Sequence, residues 1–247
     1  MTPTPEDNSL SVSMLRVAAE HLKQIKFPQL FRPAIGPNSP PTVELLHWAI
    51  QAYCFPWIRH MTALVNGIIL LIDSENSAAV RIIGRSSFEF CAHAYYVKKH
   101  LKQYLDAKDL AAAWNFLLPI GTGSRYINEF HHPEESELFP APPHIKKAIN
   151  CFKEVMHKGS DDDYSYLSEF CHPNAMTFQQ HYHWATPYAI EFVDQVEFGA
   201  FGTIAGSTLQ GLMVIQELLK IGNEQQINGA IVRLLTAIAD QHREDKP

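Results

Sequence analysis

Basic residues are in the minority in this chain, and the signatures of several common protein classes are missing. Its 247 residues hold 20 Lys and Arg against 26 Asp and Glu, a formal net charge of −6. Proteins that bind phosphate backbones usually gather positive charge on one face, so we expect no tight nonspecific binding to nucleic acid. The sequence also contains no glycine-rich phosphate loop and no G-x-S-x-G turn. It therefore lacks the common nucleotide-binding and serine-hydrolase signatures.

Cysteine is scarce, and no two cysteines form a C-x-x-C pair. The four are Cys54, Cys91, Cys151 and Cys171. All lie in apolar stretches, so we interpret them as reduced core residues of a cytoplasmic protein. The first ten residues have no basic segment followed by an apolar run, which argues against a secretory signal. The longest apolar stretch, 61–72, is interrupted by polar residues and glycine, so no membrane span is expected.

What the chain does have is apolar periodicity at helical spacing. Hydrophobic residues make up 46% of the sequence and recur at steps of three and four, as along 9–26 and from Ser77 onward. Thr42 looks like a helix N-cap, whereas Pro56 and Pro119 should break or end helices. These patterns predict an all-α, multi-helix bundle forming one domain over 1–247. It would carry a loop-rich insertion at 119–143 and an irregular or short-strand segment near 175–198.

A polar stripe runs along the helix that begins at Ser77. Arg85, Glu89 and His93 follow one another at four-residue steps, and Arg81 extends the stripe backward. The neighbouring positions are apolar, which indicates a buried helix whose charges must be paired. Arg85 and Glu89 are therefore candidate catalytic residues, with a structural ion pair as the alternative.

A second polar stripe covers 164–174. Tyr164, Ser168 and His172 again lie four residues apart, and Pro173 ends the segment. Ser168 and His172 join the candidate catalytic residues; Tyr164, Glu169 and Asn174 are candidate binding residues. Each stripe needs polar partners, so Arg85, Glu89 and His172 are expected to meet in the interior.

Together the Arg85–Glu89 helix and the motif from Tyr164 to Asn174 resemble a family of uncharacterised bacterial helical proteins. The resemblance covers only these two stretches. It implies a helical fold and a looser similarity to HEPN domains, many of which are metal-independent ribonucleases. On this basis the first hypothesis is a binding protein with an unknown protein or small-molecule partner, linked to bacterial defence or mobile elements. A homodimer is an open alternative.

Two enzymatic alternatives remain. HEPN nucleases use an Arg and a His separated by four to six residues, and Arg125 and His131 have that spacing, although acidic residues crowd them. A metal-dependent bundle enzyme is the other alternative, because Glu169 and His172 have the E-x-x-H spacing of di-iron sites. The second half of such a site is missing from the sequence, so we expect no metal and no cofactor.

Overall fold

A computed structural model describes residues 5–33, 40–122, 144–156, 164–165, 167–168, 182–186, 189–192 and 200–244 of the chain. In these ranges the protein is an all-α, multi-helix bundle, as predicted. Its helices are α1 (Pro5–Lys23), α2 (Val43–Asp73), α3 (Ser77–Asp106), α4 (Leu110–Thr122), α5 (Ile145–Phe152), α6 (Ala200–Ile221) and α7 (Gln225–Glu244). Two short strands, β1 (Tyr182–Thr186) and β2 (Ala189–Phe192), pair antiparallel. They lie within the segment that was expected to be irregular or extended.

Helix α3 is the centre of the bundle. It packs against α2, α4, α5 and α6, while α1 packs against α2, α6 and α7. Between α3 and α6 the hydroxyls of Ser87 and Thr208 lie 3.3 Å apart in the core. Because every other helix that borders the cavity described below touches α3, residues of α3 are the natural centre of a site.

Helix boundaries follow local capping chemistry. The Thr42 hydroxyl accepts a hydrogen bond from the backbone N–H of Leu45 at 3.2 Å, which confirms the predicted N-cap. Asn223, between α6 and α7, has a φ of 53° and donates its backbone N–H to the carbonyl of Lys220, which terminates α6. The cap of α7 is the Glu224 carboxylate, which accepts from the backbone N–H groups of Gln226 and Ile227.

Two prolines lie inside helices that they were expected to break. Pro56 is in the middle of α2 and Pro119 is in the last turns of α4, so the loop-rich insertion cannot begin at 119. Around Pro56 the side chains of Phe55, Trp57 and Ile58 are at most 5% exposed. Burying these large side chains stabilises the helix by more than the lost hydrogen bond costs.

By length and composition, α2 is also the one described helix that could cross a membrane. Its most apolar window has a mean hydropathy of 1.4, and 33% of that window is buried in the fold. In the bundle α2 packs against α1, α3, α4 and α6, which is how a core helix behaves.

The contact between α3 and α6 depends on a glycine. A Cβ atom added at Gly211 would lie 2.5 Å from the Cys91 Sγ and 3.1 Å from the Trp57 ring, whereas one added at Gly206 would meet nothing within 4 Å. We expect Gly211→Ala to destabilise the protein by about 1–3 kcal/mol through overpacking. Gly206→Ala should stabilise it by about 0.5–1 kcal/mol, because alanine favours the helix. Urea denaturation followed by circular dichroism measures both; equal midpoints for the two variants would contradict this packing.

Candidate functional site

An open cavity of about 560 Å³ lies between α2 and α3. Ile120 of α4 and Ile145 of α5 also line it. From α2 it is lined by Ala52, Tyr53, Pro56, Trp57 and His60, and from α3 by Glu89, Phe90 and His93. Among the described residues, its lining is therefore mainly apolar and aromatic, with a few polar groups on α2 and α3.

The α2 wall arises from helical spacing. Tyr53, Trp57 and His60 are separated by four and three residues, so they share one face of the helix. The Trp57 indole N–H donates to the carbonyl oxygen of Phe90 at 3.0 Å, which locks α2 against α3. The His60 ring stacks on the Phe90 ring, with centroids 4.1 Å apart and planes at 20°.

A phenol and an imidazole meet across the two helices. The Tyr53 hydroxyl lies 3.0 Å from Nδ1 of His93. Burial lowers the pKa of His93 and raises the pKa of Tyr53 well above its ordinary value, so both groups are uncharged at neutral pH. This pair adds polarity to the cavity without adding charge.

Glu89 connects the cavity to the polar stripe of α3. Its Oε1 accepts from Nε of Arg85 at 2.9 Å and from the hydroxyl of Tyr164 at 2.8 Å. Arg85 Nη2 lies 3.5 Å from that same hydroxyl, and the guanidinium lies over the Tyr164 ring at 5.7 Å. The three side chains form one network in which each restrains the other two.

Tyr164 is held from several sides. Its ring packs 5.5 Å from the ring of Phe88, and the Ser168 hydroxyl donates to its backbone carbonyl at 2.8 Å. Partial burial and the bond to Glu89 both raise the pKa of Tyr164, which keeps the hydroxyl protonated as a donor.

The structure thus brings together three of the residues singled out in the sequence: Arg85, Glu89 and Tyr164. Ser168 lies one turn beyond Tyr164 and bonds to the backbone, not to the carboxylate. The other candidates are outside the described residues, so their part in the site stays a prediction. They are Arg125, His131, Glu169, His172 and Asn174.

Burial decreases along the polar stripe of α3 from Arg81 to the pair of Arg85 and Glu89. Arg81 is only 1% exposed, as a core residue would be. The side chains of Arg85 and Glu89 are 28% and 27% exposed, so their pair is half-buried at the cavity and not enclosed in the core.

Comparison with known proteins gives no relative from which to infer the chemistry of this site. No family model, curated protein or solved structure matches this chain. The resemblance to uncharacterised bacterial helical proteins and to HEPN domains stays a prediction from the motif residues. The function has to be inferred from the cavity.

Three cavity residues were missed in the sequence: Tyr53, Trp57 and His60. They belong to a helix whose apolar content predicts only core packing. Their common face, with Pro56 beside them, was the available signal, since a proline inside a helix leaves a backbone carbonyl without its usual donor. His93 had been noticed as the end of the α3 stripe, and it lines the cavity.

Among the residues that the structure describes, no group of three or more His, Cys, Asp or Glu side chains could hold a metal ion. The di-iron hypothesis depends on Glu169 and His172, and the ribonuclease hypothesis on Arg125 and His131. All four lie outside the described ranges, so both hypotheses remain predictions.

Partial exposure of the Arg85–Glu89 pair sets the cost of breaking it. We expect Arg85→Ala to lower the free energy of unfolding by about 1–2 kcal/mol, because water can reach the remaining carboxylate. A fully buried pair would cost about 3–5 kcal/mol. The matched control is Arg16→Ala, which breaks an exposed ion pair with Asp73 and should cost well under about 1 kcal/mol. Chemical denaturation of both variants beside the parent measures the difference, and equal midpoints for the two variants would show that the network adds nothing.

Proposed function

We propose that this protein is a binding protein that holds a small-molecule ligand in the cavity between α2 and α3. The observation that carries the proposal is the cavity itself, about 560 Å³ and lined by aromatic and apolar side chains with a few polar groups. Small-molecule sites typically have volumes of roughly 300–1,000 Å³ and this kind of lining.

The polar groups are positioned before any ligand arrives. Glu89 is fixed through Oε1 by Arg85 and Tyr164, and His93 is fixed through Nδ1 by Tyr53. Trp57 is anchored to the backbone of α3. Because these side chains are already ordered, a ligand loses little affinity to the cost of ordering them. A preorganised pocket of this kind supports recognition of a specific small molecule.

A neutral dye and a matched pair of variants test this proposal. Nile red, whose emission rises in apolar surroundings, is titrated into the parent, Ala52→Phe and Ala63→Phe. Ala52 lines the cavity, whereas Ala63 is an exposed residue on the same helix. We expect Ala52→Phe to bind the dye at least ~10-fold more weakly, because a phenyl ring fills the space. Ala63→Phe should bind like the parent.

Circular dichroism first establishes that both variants keep the helical content of the parent. If folded Ala52→Phe then bound Nile red as tightly as Ala63→Phe, the cavity would not be a binding site and the proposal would fall.

A further inference from the structure

One carboxylate oxygen in the cavity has no partner in the described part of the chain. Both hydrogen bonds to Glu89, from Arg85 and from Tyr164, end on Oε1. Oε2 accepts no hydrogen bond from the described residues, and Glu89 is one of the residues that line the cavity. A ligand donor at this wall therefore meets a fixed acceptor on a carboxylate whose other oxygen is paired with the guanidinium of Arg85.

Pro56 supplies a second acceptor. It lies inside α2, where residue 56 would normally donate its backbone N–H to the carbonyl of Ala52. Proline has no N–H, so that carbonyl lacks its usual donor. Ala52 and Pro56 both line the cavity, which places this carbonyl on the same helical turn as the cavity wall.

The charge balance of the lining favours one sign of ligand. Among the described lining residues Glu89 is the only Asp or Glu, and none is Lys or Arg. Burial keeps His93 neutral, so it offers no positive charge to an anion. The rings of Tyr53, Trp57 and Phe90 also line the cavity, and aromatic faces attract cations through their quadrupoles.

Resting on the proposed function, we infer that the ligand of this cavity is a small organic ammonium with an apolar body. Its N–H groups donate to Oε2 of Glu89 and to the carbonyl of Ala52. Its apolar part packs against the aromatic rings. A carboxylate or phosphate ligand would meet these acceptors with no described lysine or arginine in the lining, because Arg85, which pairs with Glu89, is not among the lining residues.

Three probes with the same ring and spacer separate charge from shape: 2-phenylethylammonium, 2-phenylethanol and 3-phenylpropionate. Their binding to the full chain is measured by titration calorimetry at pH 7.5. We expect the ammonium to bind at least ~10-fold more tightly than the alcohol, and the carboxylate to bind most weakly. Glu89→Gln should cancel the preference for the ammonium over the alcohol, because the amide that replaces the carboxylate carries no charge.

Pro56→Ala is a second variant, because it restores the missing N–H and leaves Glu89 unchanged, although it also shortens a side chain of the cavity lining. Pro56→Ala should weaken the binding of 2-phenylethylammonium several-fold. Pro119→Ala, the same change in α4, should leave that binding unchanged. This arm also covers the case in which Glu89→Gln disturbs the fold.

The outcomes separate the two proposals. If the alcohol or the carboxylate binds as tightly as the ammonium, and Ala52→Phe weakens that binding, the cation assignment is overturned and the binding cavity stands. If none of the three probes binds, or Ala52→Phe leaves their binding unchanged, the cation assignment is overturned, and the Nile red titration alone decides whether the cavity binds a ligand. An ammonium preference that survives in Glu89→Gln and in Pro56→Ala also overturns the assignment.

Discussion

Phe88→Ala is expected to destabilise the protein by about 3–5 kcal/mol, the usual cost of removing a buried phenyl ring. Phe88 is fully buried on α3. Its ring lies 5.4 Å from the ring of Phe152 and 5.5 Å from the ring of Tyr164. It therefore joins α3 to α5 and to the segment that carries Tyr164. Deleting it leaves a void among three elements that cannot all close in at once.

The same substitution should affect the cavity indirectly. Tyr164 rests on Phe88 and donates to Glu89, so a looser Tyr164 leaves the carboxylate less well fixed. Guanidinium denaturation measures the stability, and the control is Phe31→Ala, because Phe31 is 75% exposed. The control should shift the free energy of unfolding by no more than about 0.5 kcal/mol. Similar midpoints for Phe88→Ala and Phe31→Ala would contradict the buried position of Phe88.

Pro56→Ala is expected to act in the opposite direction and raise the stability. Proline in a helix interior costs up to about 3 kcal/mol relative to alanine, through the lost hydrogen bond and the clash with the carbonyl four residues earlier. Alanine also makes the unfolded chain more flexible, which reduces this gain in the free energy of unfolding by about 0.4–1 kcal/mol. The net gain should be roughly 1–2 kcal/mol. The side chain of Pro56 is exposed, so little packing is lost with the ring.

Thermal unfolding of Pro56→Ala and of Pro119→Ala measures this gain. Pro119 lies inside α4 and has the same missing donor, so it shows the general effect of such a change. A drop in melting temperature for Pro56→Ala would mean that α2 depends on its proline. A rise in stability together with weaker ligand binding would mark Pro56 as a residue kept for binding at the expense of stability.

The periodicity of the sequence predicted the helices because apolar spacing and burial agree along most of the chain. The long helix after Ser77 was predicted with its polar stripe, and Arg85 and Glu89 were expected to meet His172 of the second stripe. His172 lies outside the described residues, and Tyr164 of the same stripe is bonded to Glu89. Their meeting was predictable because half-buried polar groups need partners, whatever the exact packing.

The errors came from residues whose local preference is outweighed by packing. Pro56 should break an isolated helix, yet the buried side chains around it keep α2 continuous. The cavity itself could not be predicted. Tyr53, Trp57 and His60 have the pattern of a core face, and only the position of α2 beside α3 leaves space next to them. Whether a helical face is covered depends on its neighbours and not on its own sequence.

The two oxygens of the Glu89 carboxylate have different roles. Oε1 accepts from the hydroxyl of Tyr164, and Oε2, which accepts from none of the described residues, is the atom that we propose for the ligand. A bound cation would interact with the same carboxylate that accepts the hydrogen bond from Tyr164. Thermodynamic linkage would therefore couple ligand binding in the cavity to the position of the segment that contains Tyr164. The coupling is reciprocal. Anything that pulls Tyr164 away from α3, such as a protein docking on that segment, would change the affinity for the ligand by the same factor by which the ligand changes the docking.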